Sequence, residues 1–245
     1  ALSGPVSSGL PMKSVQRPSI DELGYVNYVG ARYDNTTIYR TSIYTRAPGG
    51  GAEIRVAGGS PMPDSPHTFL DFGSPAADGG WVAFAANSQY QQTKGVYVHD
   101  GTSVSRVVDR TLDMPGAGGA FYGFSDPSIS QGNVAFQASD ASGLSGIYAM
   151  YDGNVLKVAD TTDSAPGGGA FSAFGRPDIR GGKVLFTATP AGVYQADLAT
   201  GQLTRLLGPT TAPDGLTLER FSDVACDGED YSFLGYRDSY PSATG

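Results

Sequence analysis

Three aspartates occupy the same position of a motif that recurs along the chain: Asp21, Asp78 and Asp227. Two carboxylates on opposite sides of a glycosidic bond can supply the acid and the base or nucleophile that its cleavage requires. Because the three side chains belong to different copies of one motif, the sequence suggests a glycoside hydrolase or polysaccharide lyase that uses them. Aspartate before glycine is also ordinary turn chemistry, and Asp78 and Asp227 both precede a glycine. The sequence alone leaves both interpretations open.

The positions around the proline of this motif differ in charge from copy to copy. Directly before that proline, or its equivalent, stand Arg17, Ser74, Asp126, Arg176 and Asp223. Three residues after it stand Asp21, Asp78, Ser130, Arg180 and Asp227. A position that varies on a fixed scaffold can carry a function, and tyrosine can stack on a sugar while bonding its hydroxyls. The predicted ligand-binding residues are therefore Arg17, Asp126, Arg176, Arg180, Asp223 and Tyr122. A self-neutralising network of salt bridges is the alternative.

Two loops between copies of the motif hold closely spaced aspartates, Asp109 and Asp113 in one and Asp160 and Asp163 in the next. Carboxylates and backbone carbonyls are the ligands that Ca²⁺ prefers. The loops contain no D-x-D-x-D-G run, and capping of the loop backbone by aspartate accounts for the same residues. We therefore expect no cofactor and no metal, with these four aspartates as weak candidates for Ca²⁺.

The motif that positions these residues reads F-x-x-F-x-x-P-x-I-x-x-G-x-V-x-F. Its clearest copies run from Phe121 to Phe136 and from Phe171 to Phe186, an earlier copy begins at Phe69, and degenerate copies begin at Met12 and Leu218. A period of about 50 residues marks one supersecondary unit that is repeated. Alternating apolar residues and Asp-Gly turns predict four short antiparallel strands in each copy, which is typical of a β-propeller blade.

Five copies predict an all-β fold, a five-bladed β-propeller formed by residues 1–245 as a single domain. The expected repeats are approximately 12–68, 69–120, 121–170, 171–217 and 218–245, the last together with 1–11. Proline removes a donor from a sheet ladder, so the segment with the motif's proline is predicted to be the innermost strand.

The last copy is short, and its blade is expected to be incomplete or closed by the N-terminus. An open blade edge can pair with another chain, which gives a further alternative: a filament or matrix subunit that assembles through its last blade.

The stretch from Val158 to Phe186, V-A-D-T-T-D-S-A-P-G-G-G-A-F-S-A-F-G-R-P-D-I-R-G-G-K-V-L-F, resembles a family of repeat proteins. These are secreted or surface proteins of bacteria that often carry PEP-CTERM-type sorting signals. The resemblance extends from about Phe69 to Gly215 and is poor at the ends of the chain. It implies a secreted β-propeller-like array and no established activity. The sequence shows no sorting signal, so anchoring is not expected.

Composition narrows the function further. The chain has 24 acidic and 16 basic residues and a net charge of −8, so the phosphate backbone of a nucleic acid would be repelled. No apolar run approaches the roughly 20 residues that a membrane span needs. Aromatic residues make up 11% of the chain, with 14 tyrosines. We therefore predict a secreted or cell-surface module that binds a polysaccharide or another glycan, with an enzyme as the alternative.

Overall fold

The computed structural model describes residues 14–33, 39–116, 119–212, 215, 217–227 and 230–237. Its described regular elements are β-strands, apart from a 3-10 turn at Gln89–Gln91. In these ranges no helix is long and apolar enough to cross a membrane. The all-β fold predicted from the motif is confirmed.

The first blade is a four-stranded antiparallel sheet whose strands follow chain order. They are β1 (Ser14–Ile20), β2 (Val26–Tyr33), β3 (Tyr39–Arg46) and β4 (Ala52–Val56). The register of β1 against β2 shifts between Gln16 and Ser19, which is where Pro18 lies. Since proline has no N–H to donate, it sits where the ladder is already interrupted.

Blades 2 to 4 keep this order, but their first strand is split into two short segments that pair with the same neighbour. Blade 2 consists of β5 (Phe69–Phe72), β6 (Ala76–Asp78), β7 (Trp81–Ser88), β8 (Lys94–His99) and β9 (Val104–Asp109). Blade 3 consists of β10 (Gly123–Phe124), β11 (Ser128–Ser130), β12 (Asn133–Ser139), β13 (Ser145–Tyr151) and β14 (Asn154–Asp160). Blade 4 consists of β15 (Ala173–Phe174), β16 (Asp178–Arg180), β17 (Lys183–Thr189), β18 (Gly192–Asp197) and β19 (Leu203–Leu207).

The described part of the last blade is a pair of antiparallel strands, β22 (Arg220–Cys226) and β23 (Tyr231–Tyr236). A small hairpin of β20 (Thr210–Thr211) and β21 (Thr217–Leu218) precedes it. Within the described ranges the blade is thus incomplete, as the short last copy predicts. Closure by residues 1–11 falls outside those ranges and stays a prediction, as does the treatment of 1–245 as one domain.

The split in each first strand falls at the motif's proline. In blade 2 the segment Gly73-Ser74-Pro75 separates β5 from β6, and Gly73 still donates to the Ala85 carbonyl at 2.8 Å. Contacts between neighbouring blades run from β1 to β6, then to β11, β16 and β22. The proline-bearing segments are therefore the innermost strands, as predicted, and each lies against the next.

Aromatic side chains fill the spaces between blades. In blade 3, Tyr148 meets Phe121 edge-on at 5.2 Å and stacks on Phe136 at 6.2 Å between ring centroids. All three are buried in one cluster with Val96 and Val108 of blade 2. Burial of apolar surface is worth about 25 cal/mol per Å². Because the buried surface is shared, each blade stabilises its neighbour.

The glycine at the second position of β13 in blade 3, Gly146, has a steric cause. A Cβ on Gly146 would lie 2.5 Å from the Ala159 carbonyl oxygen and 2.8 Å from Cβ of Asp160. Gly146 is paired with Asp160, which is fully buried. Gly95 and Asp109 repeat this arrangement in blade 2. The glycine thus gives a buried aspartate room in the sheet.

His99, at the end of β8, is buried, and we expect it to make the stability of the fold depend on pH. Its Nδ1 accepts the N–H of Gly101 at 2.9 Å. Burial lowers the pKa of His99, and the Arg55 guanidinium of blade 1 lowers it further, against the attraction of Asp100. In the unfolded chain histidine takes up a proton near pH 6.5, whereas folded His99, with its lowered pKa, takes one up only at lower pH. The free energy of unfolding should therefore fall as the pH drops below that value.

We expect the His99→Gln variant to lose this part of the pH dependence. Urea unfolding between about pH 7 and about pH 5 measures it, since carboxylates titrate mainly below that window. An unchanged slope in His99→Gln would assign the dependence to other groups.

Candidate ligand-binding site

The innermost strands of the first four blades line a pocket of about 520 Å³. Its walls are formed by Pro18, Ser19, Ser74, Pro75, Ala76, Asp126 and Arg176. Ser74, Asp126 and Arg176 each directly precede the motif's proline. The repeat thus brings side chains from three consecutive blades to one place.

Asp126 reaches from blade 3 to the split strand of blade 2. Its Oδ1 accepts the backbone N–H of Ser74 at 2.8 Å, and its Oδ2 accepts the Ser74 hydroxyl at 2.6 Å. A Cβ at Gly73 would lie 2.2 Å from that Oδ1, so the close approach requires glycine. Asp126 is thereby held as a fixed negative charge in the pocket wall.

Arg176 is exposed at the blade 4 side of the pocket. Its Nη2 donates to the Pro127 carbonyl at 3.0 Å, which ties blade 4 to the innermost strand of blade 3. Arginine has five N–H donors in a planar fork, and within the described residues this is the one hydrogen bond of its guanidinium. The remaining donors can bond oxygen atoms of a ligand.

A charged network joins four blades at one end of the innermost strands. Buried Asp78 accepts the backbone N–H of Gln131 at 2.7 Å and Nη1 of Arg180 at 2.9 Å. Nη2 of Arg180 lies 4.0 Å from Oε2 of Glu22. Asp78 and Arg180 stand three residues beyond the motif's proline, which is roughly 10 Å along a strand. We call this network, Glu22, Asp78, Gln131 and Arg180, the channel floor. The ion pair between Asp78 and Arg180 agrees with the alternative stated above, that these residues form a network of salt bridges.

The three aspartates of the glycosidase hypothesis do not line the pocket. Buried Asp21 accepts the N–H groups of Leu23 and Tyr25, at 3.0 and 2.8 Å, in the turn after β1. Asp78 belongs to the channel floor, and Asp227 is exposed after β22. Asp21 and Asp78 thus carry structural hydrogen bonds, and a catalytic role for the three aspartates stays an untested prediction.

Two of the predicted ligand-binding residues, Asp126 and Arg176, meet in the pocket. Of the other four, three lie outside the pocket and one has a side chain that the structure does not describe. Arg180 belongs to the channel floor, and Asp223 is exposed in the last blade, where it accepts a hydrogen bond from the neighbouring serine hydroxyl at 3.0 Å. Tyr122 is 51% exposed beside Arg110. The side chain of Arg17 lies outside the described part of the chain.

The buried aspartate considered for calcium in blade 3 is already bonded. Oδ1 of Asp160 accepts the N–H and the hydroxyl of Thr162, and its Oδ2 lies 3.2 Å from Nζ of Lys157. Asp163 bonds the same Nζ at 2.9 Å. Burial raises the pKa of Asp160, but the bonds from Thr162 and the charge of Lys157 outweigh it and hold that pKa below its usual range.

Blade 2 repeats this arrangement. Asp109 accepts the N–H of Thr111 at 2.9 Å and pairs with Arg106 at 3.1 Å, while Asp113 is exposed. In the described ranges, no group of three or more His, Cys, Asp or Glu side chains is placed to hold a metal ion. Asp109 and Asp160 therefore cap their own loops, as the turn alternative states.

The repeated motif marks some residues of the pocket and of the channel floor, whereas others are not marked by it. Alignment of the copies places Ser74 at the same motif position as Asp126 and Arg176, although Ser74 was not among the predicted ligand-binding residues. Glu22 and Gln131 join the channel floor only through contacts between blades, and nothing in their local sequence marks them.

The paired sheets, the meeting innermost strands and the central pocket define a β-propeller module whose described last blade is incomplete. Residues 4–199 match the model of a family of unknown function, DUF7453. The chain therefore belongs to this family. The match includes the first blade, where the earlier resemblance was poor. It does not bear on secretion or a sorting signal. No curated protein matches the chain.

Solved structures resemble the chain at low sequence identity. A puromycin-hydrolysing peptidase from Mycobacterium tuberculosis matches with a TM-score of 0.53 at 16% identity, over 95% of this chain and 35% of that one. A protein of unknown function from Bacteroides thetaiotaomicron matches with a TM-score of 0.48 at 14% identity, over 92% of this chain and 56% of that one. A prolyl endopeptidase matches with a TM-score of 0.43 at 13% identity, over 91% and 40%. The chain thus spans between about a third and about half of their length, and the likeness to the first shows the fold alone.

Proposed function

We propose that this chain is a carbohydrate-binding module that holds its ligand in the pocket between the innermost strands. One observation carries the proposal: the exposed Arg176 guanidinium, with a single described hydrogen bond, shares a pocket with the Asp126 carboxylate. A sugar presents adjacent hydroxyls that both donate and accept hydrogen bonds. Arg176 can donate to one hydroxyl while Asp126 accepts from its neighbour.

The charges favour a neutral sugar. Arg176 and Asp126 carry opposite charges within one pocket, and the net charge of −8 would repel a polyanion at long range. The volume of about 520 Å³ falls among small-molecule sites of about 300–1,000 Å³. A neutral hexose therefore fits this pocket better than a uronic acid polymer does.

The polar groups are held in place before a ligand binds. The carboxylate of Asp126 is fixed by its hydrogen bonds to Ser74, and the guanidinium of Arg176 is fixed by its bond to the Pro127 carbonyl. The motif's prolines restrict the backbone beside these two residues. Preordered groups lose less conformational entropy on binding. We therefore expect binding without rearrangement of the blades.

The first test replaces Arg176 by alanine. We expect the wild-type chain to bind neutral glycans on an array, and the variant to bind the same glycans at least about tenfold more weakly. A charge-assisted hydrogen bond contributes about 1.5–3 kcal/mol, and about 1.4 kcal/mol corresponds to a factor of ten. Titration calorimetry with the best array ligand measures the loss.

Arg46→Ala is the matched control. Arg46 is also exposed and also donates to a backbone carbonyl, that of Gly50 at 3.1 Å, but it does not line the pocket. It should leave affinity unchanged. Equal affinity of Arg176→Ala and wild type would place the ligand elsewhere. Accumulation of a reducing-end product from any bound glycan would favour the enzyme alternative instead.

The proposal includes a location outside the cell, where polysaccharides are accessible. The resemblance to secreted and surface repeat proteins of bacteria supports it. Detection of the native protein only in the cytosolic fraction would contradict this part of the proposal and leave the binding site standing.

A further inference from the structure

A strained backbone segment after β7 displays a tyrosine to solvent. Tyr90 and Gln91 have φ angles of 59° and 54°, which L-residues adopt rarely because Cβ crowds the backbone. The Tyr90 side chain is 83% exposed, so burial of its ring does not offset the strain. Backbone strain that persists without a packing gain is a feature of functional sites.

The surrounding structure holds this segment rigidly. Ser88 and Thr93, both buried, close its base: the Ser88 N–H donates to the Thr93 carbonyl and the Thr93 N–H donates to the Ser88 hydroxyl, each at 2.8 Å. Nη1 of Arg110 donates to the Gln91 carbonyl at 2.9 Å. The exposed tyrosine is therefore carried on a fixed loop.

The same arginine holds a second exposed tyrosine. Nε of Arg110 donates to the Tyr122 carbonyl at 2.8 Å, and its guanidinium lies 4.1 Å from the centroid of the Tyr122 ring. One guanidinium thus joins the Tyr90 loop of blade 2 to the start of the innermost strand of blade 3. We call Tyr90, Arg110 and Tyr122 the aromatic platform.

Tyr122 of the aromatic platform directly precedes β10 and Asp126 of the pocket lies between β10 and β11, so both belong to the split first strand of blade 3. Tyr122 precedes Asp126 by four residues in the innermost segment of blade 3, which is at most roughly 13 Å of extended chain. Gln131 of the channel floor follows Asp126 in the same segment. The order along blade 3 is therefore platform, pocket, floor. Along β12 the platform end and the floor end of this strand therefore lie on opposite sides of Asp126.

We propose that the aromatic platform is a second sugar-binding subsite, continuous with the pocket, and that the ligand is a chain of neutral sugars rather than a single sugar. This inference rests on the proposed function. An exposed tyrosine ring offers an apolar surface of low conformational entropy to the C–H face of a pyranose, with a hydroxyl for hydrogen bonding. The pocket bonds hydroxyls through Arg176 and Asp126, and the platform adds the stacking contact that the pocket lining lacks.

The decisive measurement is affinity against ligand length. Cello-, manno- and malto-oligosaccharides, each from monosaccharide to hexasaccharide, serve as probes in titration calorimetry with the whole chain. We expect the hexasaccharide of the preferred series to bind at least about tenfold more tightly than the disaccharide. Tyr122→Ala should remove most of this gain with length, whereas Arg176→Ala should weaken the binding of the disaccharide and of the hexasaccharide alike.

Tyr90→Gly separates a binding role from a structural one. Glycine adopts the positive φ without strain, so this variant should fold at least as well as the wild type in thermal unfolding. It should nevertheless bind the hexasaccharide several-fold more weakly. Tyr231→Ala, which removes an exposed tyrosine of the last blade, is the control and should bind like the wild type.

The outcomes distinguish the two proposals. If affinity rises with ligand length and the platform variants Tyr90→Gly and Tyr122→Ala abolish this rise, both the pocket and the aromatic platform are supported. Binding that is independent of length, or unaffected by Tyr90→Gly and Tyr122→Ala, overturns the platform and leaves the pocket. Absence of binding to every probe on wild-type protein overturns the carbohydrate proposal and the platform with it.

Discussion

Asp160→Ala is expected to lower the free energy of unfolding by about 3 kcal/mol, because it removes a buried, paired carboxylate. Asp160 is fully buried and bonds Thr162 twice while it faces Lys157. Its loss leaves the N–H and the hydroxyl of Thr162 without their acceptor and takes one of two carboxylates from the Lys157 ammonium. Chemical denaturation at neutral pH measures the change.

Asp163→Ala is the matched control for this experiment. Asp163 bonds the same Lys157 ammonium at 2.9 Å, but its side chain is 35% exposed. Asp163 also accepts the backbone N–H of Asp160 at 2.9 Å. An ion pair accessible to water contributes about 0–1 kcal/mol and a hydrogen bond about 1 kcal/mol, so this variant should lose about 1–2 kcal/mol, less than Asp160→Ala. Equal losses in the two variants would contradict a special role for the buried position.

Phe136→Ala is expected to cost about 3–5 kcal/mol, the range for removing a buried aromatic ring. Phe136 is fully buried between Phe121 and Tyr148 in the cluster that joins blades 2 and 3. The cavity would therefore weaken an interface between two blades as well as the interior of one. Urea unfolding followed by circular dichroism measures the loss of stability.

Leu234→Ala is the control for the apolar substitution. Leu234 is 53% exposed in β23, and exposed positions usually change stability by about 0.5 kcal/mol or less. A loss below about 1 kcal/mol in Phe136→Ala would mean that the blades do not depend on this cluster.

Much of the fold was predictable because the information is local and repeated. The motif marked the innermost strands through its prolines, and those at 75, 127 and 177 lie at the splits in these strands. The four strands of each blade followed from alternating apolar residues and Asp-Gly turns. These signals depend on neighbours in sequence, and five copies of the motif reinforce them.

The site was predictable in part. Aligning the copies of the motif identified both Asp126 and Arg176 as candidate ligand-binding residues, and both line the pocket. The same alignment put forward Arg180 and Asp78, which the structure joins in the channel floor. Tyr90 and Tyr122 both stand out as tyrosines outside the motif. Nothing in the sequence connects Tyr90 with Arg110, because they are joined through a hydrogen bond to the Gln91 carbonyl, distant along the chain.

Equivalent positions also diverge for reasons that the sequence does not show. The buried aspartates Asp109 and Asp160 correspond to Gly208 in blade 4. There a Cβ would lie 2.7 Å from Cζ of Arg205, so the guanidinium occupies the place of the missing carboxylate. This arginine is equivalent to Lys157 of blade 3, which turns toward its aspartate instead.

The aspartates and arginines around the motif's proline thus fall into two groups: some line the pocket, and others bond one another. The sequence by itself determined the repeat, the strands and the set of polar residues on the innermost strands, since each depends on periodicity within about 50 residues. Only the tertiary structure decided which of them face an open pocket and which bond one another. That choice depends on how far a side chain of one blade reaches into the next, and such distances follow from the packing of blades rather than from spacing along the chain.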